Sequence, residues 1–202
     1  MIVTISNQYG CGALAIARSV AAELRYEYVD RQLPVVVAKR LNVTPEEVEA
    51  NEDAAPSLGE RWLTSLERGT PELARASTAP PFDEELLRAV QQAVREYAAR
   101  GNAVIVGRGA GVILGPRSDV IRVFMYAPRD WRVEHIVREL GVDRRTAANE
   151  VDRVDKARAA YLRDWYGVTF GDPALVDLSI DTAQFGKAQS VALIVQAVRS
   201  KA

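Results

Sequence analysis

The chain has 202 residues, with 26 basic against 27 acidic and a pI near 6.0, so no global field would hold nucleic acid or an anionic membrane. Its length suits one α/β core, and no apolar run approaches the ~18 residues of a spanning helix, which reads as a single cytoplasmic domain. A lone cysteine, Cys11, excludes an intramolecular disulfide and any multi-cysteine metal site, and the lone histidine, His135, reads as a surface or packing residue of an arginine-rich helix.

The apolar run at residues 2–6 predicts a buried strand, and Leu14, Ala17, Val20, Ala21 and Leu24 recur at helical spacing behind it. Between them, Asn7-Gln-Tyr-Gly10-Cys-Gly12-Ala13-Leu14 has the outline of a phosphate-binding loop. In the pattern G-x-x-x-x-G-K-[ST], glycines admit backbone amides to the phosphates, the lysine reaches the β/γ-phosphates and the hydroxyl holds magnesium. Gly12 fits the second glycine. Asn7 stands at the first, Ala13 at the lysine and Leu14 at the hydroxyl, so the cradle is present without its charged chemistry. Cys11 reads as a small filler of the loop, at a helix N-terminus that can lower a thiol pKa.

Residues 26–29 predict a short second strand ending at Asp30, a residue equally suited to positioning magnesium or water and to capping the next helix. Helices follow at about 31–40 and 45–52, the latter opened by Thr44-Pro45-Glu46-Glu47. Within residues 53–82, Trp62, Leu63 and Leu66 suggest a helix, and Gly69 to Pro81 reads as a Pro/Thr/Ser/Ala-rich connector. An amphipathic helix over about 83–100 stops at Gly101. The unbroken apolar runs 103–106 and 120–125 are strands buried on both faces, as in a parallel sheet. Helices near 129–140 and 143–163, a Gly/Asp/Pro turn at 171–173, a strand around 178–180 and a closing helix over about 187–199 complete the chain.

This alternation predicts a doubly wound parallel sheet flanked by helices, whose ligands bind at the carboxyl ends of the strands. Three loops meet there: residues 7–12, Asp30-Arg31 and Gly107–Gly111. Arg108, set between glycines behind an apolar strand, needs an anion or a carboxylate. Gly10-x-Gly12-x-x-Ala15 with Asp30 also fits a dinucleotide fingerprint, although three residues separate strand from glycine.

The order and spacing of several segments resemble the cytidylate kinase-like family of nucleoside-monophosphate kinases. They are Val3-Thr-Ile-Ser6 with Tyr9-Gly10-Cys-Gly12, Tyr28-Val-Asp30-Arg31, Val104-Ile-Val-Gly107-Arg108-Gly-Ala110, Val123-Phe-Met-Tyr-Ala127-Pro, Val154-Asp-Lys-Ala-Arg158 with Tyr161, Gly171-Asp-Pro173 and Asp177-Leu-Ser-Ile-Asp-Thr182. The resemblance implies a phosphate-binding-loop kinase core at 1–30 and 101–202, a helical acceptor-binding insertion over about 31–100 and a helical lid over about 143–172. It implies ATP and Mg²⁺ as cofactors and a small nucleotide as substrate, with a homodimer left open. Gly10, Cys11, Gly12, Ala13 and Leu14 would then bind the nucleotide, and Asp30, Arg31, Arg108 and Gly109 the acceptor. Arg108, Arg153 and Arg158 would be catalytic, with Lys156 and Arg163 on the lid and no metal ligand assigned. Cytidylate kinases follow the Gly-Arg pair with an acid that reads the cytosine amino group, where this chain has Gly109. The family's relatives without the loop lysine often carry an Arg where Asn7 stands and another polar or basic residue near Leu14, and this chain has neither. Two further readings stay open: a weak or inactive pseudokinase serving as a nucleotide-sensing or partner-binding module, and a dinucleotide-binding domain.

Overall fold

The computed structural model describes residues 1–30 and 82–201. Its strands are β1 (Ile2–Asn7), β2 (Glu27–Val29), β3 (Ala103–Val106), β4 (Val120–Tyr126) and β5 (Leu178–Asp181). They form one parallel sheet in the order β2-β3-β1-β4-β5. The helices are α1 (Ala13–Leu24), α2 (Phe82–Arg100), α3 (Ala110–Leu114), α4 (Arg129–Leu140), α5 (Arg144–Tyr166) and α6 (Thr182–Lys201), with a 3-10 turn at Pro173–Leu175.

Two cores explain why the central strands read as unbroken apolar runs. Side chains alternate across a strand. Val3 and Ile5 of β1 join Val123 and Met125 of β4 beneath α1 and α6. Ile2 joins Ala103 and Ile105 of β3 against α2 and α3 on the other face. Both faces are thus covered, so β3 is apolar throughout and β1 and β4 carry few polar residues, Thr4 being buried and Arg122 paired with Asp177. A third cluster, Val133 and Ile136 of α4 with Ala147 and Val151 of α5, makes a helix hairpin onto which Tyr9 of the first loop packs.

The expected strands and the helices at 13–24, 83–100 and 129–140 fall where periodicity puts them, and three elements differ in part. α3 escapes the sequence reading because five residues cannot display a helical period; Gly109, left-handed at φ 68°, starts it. α5 runs to Tyr166, with Asp143 capping the amides of Arg145 and Thr146 rather than lying inside the helix. The closing helix runs from about Lys187 as expected, and ahead of it the Asp181 carboxylate accepts from the amides of Ala183 and Gln184 and builds an added turn, set off from the helix by the non-helical Gly186. The helices expected at 31–40, at 45–52 and around Trp62, and with them most of the expected insertion, lie outside the described residues; α2 is its described part.

Candidate active site

Every strand is parallel, so all carboxyl ends open on one edge, where the loops after β1, β3, β4 and β5 converge. The first loop turns on Gly10 and Gly12, at φ 79° and 76°. A Cβ on Gly10 would lie 3.0 Å from both the Arg132 carbonyl oxygen and Ile136 Cγ1, so the chain passes too close to α4 for any side chain there. Gly12 leads directly into α1, aiming the first free amides of that helix at the sheet edge, an arrangement suited to anions.

The loop is bolted in place from three sides. Arg132, buried on α4, donates to the carbonyls of Ala127 at 3.0 Å and Tyr9 at 2.9 Å and to Asp155 at 2.7 Å. The other oxygen of Asp155 accepts from the Tyr9 amide at 2.8 Å. From α5, Arg158 donates to the Asn7 carbonyl at 2.7 Å and lies over the Tyr9 ring. From α6, the buried Thr182 hydroxyl lies 2.7 Å from the Cys11 carbonyl oxygen and 3.2 Å from that of Tyr126. Cys11 itself faces inward, with Sγ 3.7 Å from the Met125 carbonyl oxygen. Burial pushes its thiol up to about 11, against opposing contributions from the Ala13 amide and Arg158.

The loop after β3 has a different construction. Gly107, Arg108 and Gly109 are all left-handed, at φ 72°, 57° and 68°. Arg108 has no glycine's freedom, so this conformation is held by the surroundings; the Gly107 amide donates to Ile5 O and that of Ala110 to Gly107 O. The Arg108 charge acts on Tyr161, whose phenol lies 3.3 Å from that of Tyr166. Burial, foremost, holds the Tyr161 proton well above the ordinary tyrosine range. Tyr166 and Leu162 back onto Gly109, where a Cβ would meet Tyr166 Cε2 at 3.2 Å. Beside them a small recess of about 40 Å³ opens among Ser6, Gly107, Gly109, Leu162 and Asp172.

A family model for the cytidylate kinase-like family matches residues 2–184. The chain belongs to that family. It is 26% identical over 202 residues to the cytidylate kinase of Haloarcula marismortui, covering 99% of this chain and 90% of that protein. Among solved structures, an uncharacterized protein from Eubacterium ventriosum superposes with a TM-score of 0.70 at 19% identity, over 99% of each chain. The shikimate kinase of Acinetobacter baumannii, solved with shikimate, does so at 0.52 and 15%, over 98% of this chain and 92% of that one. The fold is that of the phosphate-binding-loop kinases.

Within this cytidylate kinase-like chain the expected site residues divide. Gly10, Cys11, Gly12 and Ala13 come together as the loop and the head of α1; Cys11 and Ala13 are buried, while Leu14 is 45% exposed where related loops keep a hydroxyl. Of the expected lid residues, Arg158 bonds to the loop, through the Asn7 carbonyl. Arg153 is bidentate with Glu150, Arg163 pairs with its neighbour Asp164 and is largely exposed, and Lys156 is exposed. Asp30 accepts from the Tyr28 hydroxyl at 3.2 Å, and burial with the Asp30 charge pushes that phenol up to about 12. Arg31 lies outside the described residues. Since β3 separates β2 from β1, Asp30 ends a strand roughly 9–10 Å from β1, whereas a dinucleotide fold sets β2 beside it.

Arg132, Asp155 and Thr182 are the structural residues that sequence reasoning passes over. Asp155-x-x-Arg158 was legible as one face of a helix, but its acid was lost among the many carboxylates of 129–163. His135 was read as a packing residue and does stack on Trp131, with centroids 5.1 Å apart. It also reaches Gly12: Nε2 lies 3.8 Å from where a Cβ would stand on that glycine.

Proposed function

We propose that this chain is an ATP-dependent phosphotransferase acting on a nucleoside monophosphate or a similar small phosphate acceptor. The observation that carries the reading is the meeting, on one sheet edge, of a glycine loop at the head of α1, Arg158 against that loop, and the strained Arg108 on the strand beside it. The amides of residues 10–13 would cradle the ATP phosphates. Arg108 would grip the acceptor phosphate, for which a guanidinium fork is well matched. An acceptor oxygen then attacks the γ-phosphorus, the bond to the β,γ-bridging oxygen breaks, and ADP leaves as the acceptor gains one phosphoryl group. The chain contributes positioning and charge rather than a covalent intermediate.

Mg²⁺ would arrive on the phosphates of ATP. The described residues offer it no ligand set of their own: Leu14 replaces the hydroxyl, and no group of three or more His, Cys, Asp or Glu could hold a metal among them.

The test is transfer of label from γ-labelled ATP to CMP, UMP, AMP and GMP. Labelled diphosphate from any of them supports the reading. Exposed Leu14 and buried Ala13 in the charged positions of the loop favour a second reading, an inactive nucleotide-binding module. That reading wins if ATP binds and no acceptor is labelled.

A further inference from the structure

The loop lacks a lysine, and the imidazole of His135 stands where a cation could replace it. We infer that His135 supplies a phosphate-facing cationic donor to the nucleotide on the first loop, so that nucleotide binding takes up a proton. The inference rests on the proposed nucleotide-binding role of that loop and adds to it a residue and a pH dependence.

Four observations carry it. The Ala13 side chain is buried and the Leu14 side chain apolar, so neither residue at the head of α1 offers a donor beyond its backbone. His135 Nε2 lies 3.8 Å from the Cβ position of Gly12, the residue that opens α1. The ring is held by stacking on Trp131, nearly parallel at 6° with centroids 5.1 Å apart. The side chain keeps 30% of its surface, so a ligand can reach it.

The charged neighbours decide the sign. On α4, Glu139 Oε2 lies 3.5 Å from Nε2 and favours the imidazolium. The loop is also flanked by the positive end of α1 and by the cations Arg132 and Arg158, bonded to the carbonyls of Tyr9 and Asn7. Arg132 is largely neutralised by Asp155. The Cys11 thiol, buried and holding its proton to about 11, brings no charge at neutral pH. Polyphosphate bound on the loop would add several negative charges beside Nε2 and tip this balance toward the cation. Affinity should therefore be highest at acid pH and fall as the imidazole loses its proton, within the window of about pH 5–8 in which histidine changes charge.

The experiment is calorimetric titration of ATP, inorganic tripolyphosphate and adenosine into the unaltered chain, His135→Gln and His135→Lys, from pH 5.5 to 8.5. ATP titrates in this window too, so the readout is the difference between unaltered and variant chains. Loss of a charge-assisted contact predicts on the order of tenfold weaker ATP and tripolyphosphate binding by His135→Gln at low pH, converging with the unaltered chain at high pH. His135→Lys should bind tightly across the range, because lysine keeps its charge. Adenosine should bind alike to all three. If His135→Gln matches the unaltered chain at every pH, or if the difference is as large for adenosine, the assignment is overturned while the nucleotide reading stands. If the unaltered chain binds neither ATP nor tripolyphosphate, that reading falls and this inference with it.

Discussion

The loops after β1 and β3 lie on neighbouring strands and are built on opposite plans. The first carries no charge and takes its shape from glycines at φ 79° and 76°, with Arg132, Asp155, Arg158 and Thr182 holding its backbone from outside. The second carries its own charge, and to present it accepts a left-handed arginine between two left-handed glycines. Where charge is absent from the loop it is concentrated in the supporting helices, so the two sites should fail differently when their arginines are removed. Arg132 is a matter of folding. Arg108, on the proposed function, should be a matter of binding.

The largest expected effect tests the first half of that contrast. Arg132→Met leaves Asp155 without its cation and two carbonyls without a donor, and breaking such a buried pair costs about 3–5 kcal/mol. Urea denaturation measures it; a loss below about 1 kcal/mol would mean that the loop does not depend on this anchor.

Arg108→Gly tests the second half. It relieves a positive φ and should leave stability within about 1 kcal/mol, while monophosphate binding loses roughly 1.5–3 kcal/mol with the charge-assisted contact. Calorimetry separates the two quantities, and equal losses in both would erase the distinction between the loops.

Installing the acid of cytidylate kinases at Gly109 sharpens the second loop further. With φ at 68° and a Cβ 3.2 Å from Tyr166, Gly109→Asp should cost about 1–3 kcal/mol and create no preference for CMP. Tyr166→Ala in the same chain should recover part of the stability by opening that space. A stable Gly109→Asp chain that selects CMP would show that Tyr166 yields easily.

Restoring ordinary loop chemistry to the first loop should have unequal consequences. Leu14 is 45% exposed, so Leu14→Ser should change stability by no more than about 0.5 kcal/mol and strengthen ATP binding in the presence of Mg²⁺. Ala13 is 2% exposed, and Ala13→Lys must push a cation out through packed surroundings, so its cost should be plainly larger. The smallest effect expected is on Cys11. Its thiol holds its proton to about 11, so a thiol reagent at pH 8 should leave the folded chain unmodified and react only on unfolding. The folded pKa is raised, so the stability linked to it is intact below the ordinary thiol range of about 8.5 and falls as pH climbs toward 11.

Much of the sheet was legible because β1, β3 and β4 are covered on both faces and are therefore mostly apolar, with few polar residues to break the runs. The glycine loop was legible through spacing alone. What the sequence hid was direction. Arg153, Arg158 and Arg163 share a helix and a charge, yet one turns to Glu150, one to the loop and one to Asp164, a choice set by the packing of α5 on α4. His135 was hidden for the same reason, since nothing local says that α4 passes within reach of Gly12.

The central claim is that backbone amides at the head of α1, supported by charge from α4 and α5, hold the phosphates of ATP. Titrating ATP into the unaltered chain with and without Mg²⁺, beside Arg158→Ala, tests it most directly. The account predicts binding in both conditions, since amides need no metal, and weaker binding once the Arg158 bond to the Asn7 carbonyl is gone. No ATP binding in either condition, or binding that Arg158→Ala leaves untouched, would contradict it.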